Sequence, residues 1–158
     1  MAVRRCLPWP NACLKTPAAD VPAITDEVRA IWADMVDTME AMPGYGLAAV
    51  QIGIPLRLAV VDCSEARGEA ILLANPEVLH ASVQPREHEE ASPNLPGVSA
   101  VIARPRAVTV RFVNDKGEVE ERDFVNLWAT SVQHQIDHLS PLKRKMLLAK
   151  AEKLRKRS

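Results

Sequence analysis

Gln133-His134-Gln135-Ile136-Asp137-His138 constrains this chain more than any other segment, because two histidines four positions apart meet only on a helix. One helical turn separates them, so both imidazoles lie on the same face and can reach a single cation. Metallohydrolases with this spacing carry a Glu directly after the first His as general base. Gln135 stands in that place. Its neutral amide takes no proton from a bound water, so the segment has the frame of a metal hydrolase without its base. The spacing by itself serves a structural histidine pair as well as a metal clamp, and the remaining motifs have to distinguish the two.

A chain of 158 residues predicts one domain, 1–158, with a real core. Its formal charge balances to zero, which supplies no global field for DNA or a membrane; both are excluded as partners, and a monomer is expected. The charge is nevertheless uneven. Lys143, Arg144, Lys145, Lys150, Lys153, Arg155, Lys156 and Arg157 make residues 143–158 strongly basic, which suits a solvated helix end or an RNA or ribosome contact. Cys6, Cys13 and Cys63 lack the close paired spacing of a zinc knuckle or redox motif and read as reduced thiols. Residues 1–10 hold arginines and prolines in place of an apolar targeting segment, and no run approaches a membrane span. A cytoplasmic location is the expectation.

Residues 1–23 read as proline-rich and irregular. Thr25 then caps a predicted helix whose apolar positions Val28, Ile31, Trp32, Met35, Met39 and Met42 recur at three and four, until Pro43-Gly44 stops it. Leu56 to Val61 and Ala70 to Ala74 read as strands, the second closed by the turn former Asn75-Pro76. Ala107 to Val113 and Glu118 to Phe124 flank Asn114-Asp115-Lys116-Gly117, which predicts a hairpin. A second helix is predicted from about Asn126 to Leu139, and Ser140-Pro141 opens a basic third helix over about 141–158. The fold class is α+β: sheets around a central helix carrying the paired histidines, with N-terminal and C-terminal helices.

Two further segments matter. In Gly44-Tyr45-Gly46-Leu47-Ala48-Ala49-Val50-Gln51, the glycines allow a close backbone approach and the Gln51 amide can donate to an oxyanion, although a plain glycine turn reads the same way. Glu89-Glu90-Ala91-Ser92-Pro93-Asn94-Leu95-Pro96-Gly97 reads as an acidic, proline-broken loop. In this order, the three segments resemble the signature motifs of peptide deformylases, the metal hydrolases that remove the formyl group from nascent bacterial polypeptides. The likeness extends to the opening helix, Asn75-Pro76-Glu77, Arg104-Pro105 and Ser140 to Arg144, and so covers most of the chain.

The resemblance implies a peptide deformylase-like fold and one divalent metal, iron or zinc, held by His134, His138 and the residue at Ser92, where the family has Cys. A serine hydroxyl is a neutral, hard and weak ligand in place of a soft thiolate, which implies weak metal binding or none. Gln135 replaces the family's general base, a loss of about 100- to 10,000-fold in rate. Gln51 matches the oxyanion donor. Its backbone companion falls on Pro93, which has no N–H to offer. Gly44, Tyr45, Gly46, Leu47, Ala91 and Leu127 match substrate-binding positions, with His88, Thr130 and Ser131 around a pocket more polar than the family's usual methionine site. The resemblance therefore implies a deformylase-like protein with lost or strongly impaired activity. The rival readings are an active metal-dependent deformylase with an altered site, and a module that binds nascent peptide N-termini or, through the basic tail, the ribosome.

Overall fold

The computed structural model describes residues 2–6, 17–91 and 99–140. Helix α1, Asp26–Ala41, begins where expected: the Thr25 hydroxyl accepts from the Val28 amide, satisfying one of the N–H groups a helix start leaves open. Strands follow as β1 (Gly46–Ala48), β2 (Leu58–Val61), β3 (Ile71–Ala81), β4 (Pro85–Ala91), β5 (Ser99–Pro105), β6 (Ala107–Val113) and β7 (Val119–Val125), and helix α2 runs over Asn126–Leu139. A short 3-10 turn, Ala49–Ile52, follows β1. One antiparallel sheet has the order β1-β2-β3-β6-β7, and β4 and β5 form a separate antiparallel pair.

The five-stranded sheet is covered on both faces, and the pleat decides which side chain goes where. In β2, Leu58 and Val60 turn to the side of α1, where they join Trp32, Met35 and Met39, while Ala59 and Val61 turn toward Ala129, Val132 and Leu139 of α2. Every residue of β2 is accordingly buried. That double cover explains its unbroken apolar run, the usual mark of a strand packed on both sides. The methionine and tryptophan stripe of α1 is core, as its spacing predicts.

Three expectations need correction. Asn75-Pro76 does not end a strand; β3 continues through it to Ala81, with a register shift against β6 between Ala74 and Glu77. Asn75 takes a left-handed backbone (φ 51°), and its side chain bonds both the amide and the carbonyl of Val21, at 2.7 and 2.9 Å, so it is a bulge residue. The stretch beginning at Glu89 is not loop from its start, since Glu89, Glu90 and Ala91 finish β4. Strand β2 begins at Leu58, while Leu56 makes an isolated parallel bridge to Ala19. The predicted basic third helix, Cys13, Ser92 and Pro93 lie outside the described residues. Among the described residues, no helix is long and apolar enough to cross a membrane.

Candidate active site

Helix α2 presents Leu127, Thr130, Ser131, His134 and Gln135 at helical spacing, one stripe facing a cleft of about 420 Å³. The opposite walls come from Gly44, Tyr45 and Gly46 at the start of β1, from Gln51 in the 3-10 turn, and from His88, Glu90 and Ala91 of β4. Among the described residues, those named from the sequence gather here with two exceptions. Leu47 is fully buried in the core with α1, because alternation along β1 turns it away from the cleft. His138 is fully buried behind His134.

The histidine pair is closely set. His138 Nε2 lies 3.0 Å from His134 Nε2, and the ring centroids are 4.7 Å apart. His134 Nδ1 donates to Glu90 Oε1 at 2.6 Å, which leaves the Nε2 lone pair of His134 directed toward its partner ring. A carboxylate on the far nitrogen is the usual way a ligating imidazole is oriented. Glu90 is held in turn by Arg104, whose Nε and Nη2 donate to its two oxygens at 2.6 and 2.9 Å, while Arg104 Nη1 donates to Asp137 at 2.7 Å. Burial pushes the Glu90 carboxyl up, but hydrogen bonds and charge from His134 and Arg104 outweigh it and hold the group below its ordinary value. Arg104, noticed in the sequence only for its Arg-Pro step, is thus the cation that keeps this carboxylate ionised.

Gln135 is buried beside the cleft, and its Oε1 has no hydrogen-bond partner among the described residues. Gln51 has its Oε1 engaged by the Ala48 amide at 2.9 Å, which fixes the orientation of the side-chain amide at the cleft wall. Three strand contacts set the rim. The Tyr45 carbonyl accepts from the Asp62 amide and from Ser131 Oγ, each at 2.9 Å, and the Gly44 carbonyl accepts from Arg67 Nη2 at 2.6 Å. With Tyr45 bonded to Asp62, the alternating antiparallel ladder turns the N–H and C=O of Gly46 away from β2, onto the open edge of the sheet.

Gly46 is required for another reason. A Cβ there would sit 2.6 Å from Gln135 Nε2 and 2.7 Å from Ser131 Oγ. Gly46→Ala is expected to displace the Gln135 amide and break the Ser131–Tyr45 bond, costing about 1–3 kcal/mol in overpacking. Urea unfolding of the variant checks the cost.

The residues present match the family's metal only in part. Two imidazoles converge, yet no group of three His, Cys, Asp or Glu among the described residues could hold a metal. Cys63 supplies no substitute: its Sγ lies 3.9 Å from the Tyr45 carbonyl, and burial, reinforced by the charge of Asp62 and opposed by Ser131, Arg67 and Arg86, pushes the thiol up to about 11. Among the described residues it joins no His, Asp or Glu in a set that could hold a metal. The described donor set is therefore short of the family's three protein ligands.

A paired-histidine helix packed across an antiparallel sheet, beside a cleft, is a metallohydrolase scaffold. The model of the polypeptide deformylase family matches residues 3–155, and the chain belongs to that family. It is 39% identical to the peptide deformylase of Caulobacter vibrioides, over 99% of each chain. Among solved structures, the peptide deformylase of Legionella pneumophila is similar at TM-score 0.83 and 34% identity, over 98% of this chain and 96% of that one. A Met-Ala-Ser-bound class I type b peptide deformylase from Acinetobacter baumannii is similar at TM-score 0.82 and 27% identity, over 89% of this chain and 94% of that one.

Proposed function

We propose that this chain is a deformylase-like protein in which removal of the N-formyl group from nascent polypeptides is lost or strongly impaired, while the cleft still takes peptide N-termini. The observation that carries the reading is Gln135: a neutral amide occupies the buried position beside His134 where the family's chemistry needs a proton acceptor. The short donor set supports weak metal binding or none, since two imidazoles and the neutral hydroxyl of Ser92 offer no thiolate to iron or zinc. Peptide binding is supported by the edge position of β1, with the Gly46 amide and carbonyl turned outward, an arrangement suited to strand addition. The Met-Ala-Ser complex of the relative places such a peptide in a protein of the same fold.

The test joins two measurements on protein purified anaerobically: metal content, and hydrolysis of formyl-Met-Ala-Ser. Metal well below one ion per chain, and turnover at least about 100-fold below that of a metal-loaded relative, is the expected result. Ordinary turnover with one metal per chain would overturn the reading.

A further inference from the structure

Thr130, in the cleft wall, forms with Arg86 behind it a polar pair that neither the histidines nor Gln135 uses. Arg86, His88 and Glu90 alternate along the inward face of β4. Glu90 goes to His134, but Arg86 Nη1 donates to Thr130 Oγ1 at 3.0 Å, across 44 residues of sequence. Among the described residues, no carboxylate pairs with Arg86, whereas its cross-strand neighbour Arg104 has two.

Thr130 is 3% exposed and lines the cleft. Its oxygen accepts from Arg86, and among the described residues nothing accepts its own hydroxyl proton. A hydroxyl whose oxygen is bonded to a guanidinium is a strengthened donor. The neighbouring Ser131 hydroxyl is already spent on the Tyr45 carbonyl. Thr130 is thus a buried, polarised donor at the cleft wall, with a cation behind it.

We infer that the Arg86–Thr130 pair sets side-chain specificity: the cleft prefers a peptide whose first side chain is unbranched and ends in a hydrogen-bond acceptor oxygen, as a carboxamide does, over an apolar chain of the same length. The apolar lining from Met42 and Leu127 holds the stem of such a side chain, and the polar end meets Thr130. A donor buried with no acceptor is costly, so an apolar side chain at this place leaves Thr130 unsatisfied. The inference rests on the reading that the cleft takes peptide N-termini.

Calorimetric titration of the full chain with formyl-Gln-Ala-Ser and formyl-norleucyl-Ala-Ser separates the two ideas. The glutamine peptide is expected to bind about fivefold or more tightly, the increment of one neutral hydrogen bond. Thr130→Val should abolish that ratio, weakening the glutamine peptide and tightening norleucine as the unsatisfied hydroxyl is removed, and Arg86→Met, which keeps the hydroxyl but removes the cation behind it, should reduce the ratio. Equal or tighter binding of norleucine, or a ratio that survives both variants, overturns the specificity while leaving the cleft reading intact. Binding of neither peptide overturns both.

Discussion

Ser92→Cys combined with Gln135→Glu is expected to restore one metal ion per chain but not ordinary deformylase turnover. The thiolate completes a three-ligand set with His134 and His138, whose nitrogens already converge at 3.0 Å. The new carboxylate replaces the missing proton acceptor. What stays absent is the amide donor at Pro93, and loss of one oxyanion donor costs about 100- to 1,000-fold. Adding Pro93→Leu should recover much of that factor. Metal analysis and formyl-Met-Ala-Ser hydrolysis on the double and triple variants check this, and a double variant as fast as an ordinary relative would show that Pro93 is no handicap.

Arg104→Met should be among the most damaging single substitutions outside the apolar core. It leaves Glu90, 7% exposed, and Asp137 without the cation that joins them, and stripping one partner from a buried ion pair costs about 3–5 kcal/mol. The pH dependence has a definite sign. Because the folded Glu90 carboxyl lies below its ordinary value of 4.5, its contribution to stability is complete above that value. It is lost as the pH falls through the folded value. In Arg104→Met the carboxyl should rise, and the acid loss of stability contributed by Glu90 should begin at higher pH. Urea midpoints from neutrality downward measure both effects. An unchanged midpoint would show that the network contributes nothing net.

Much of the architecture was legible because local chemistry agreed with the fold. Thr25 caps α1 as its hydroxyl predicts, the turn at Asn114 to Gly117 joins β6 to β7, and α2 spans Asn126–Leu139 as its apolar spacing requires. Strands β4 and β5 escaped notice for a physical reason. The inward face of β4 is Arg86, His88 and Glu90, so the usual alternation of apolar and polar residues is missing where the buried face is a charged network. Asn75-Pro76 misled because the same residues that build turns also build bulges.

The histidine spacing, the amide at Gln135, the hydroxyl at Ser92 and the missing N–H of Pro93 are properties of single residues, and the sequence by itself determined the chemistry available along α2 and its facing segments. Only the tertiary structure decided how that chemistry is oriented. Glu90 reaches His134 across 44 positions and Arg104 reaches Asp137 across 33, and Leu47 turns into the core while Gly46 faces the cleft. Those outcomes depend on which strands pair and in what register, a matter of long-range burial and hydrogen bonding that no local pattern encodes.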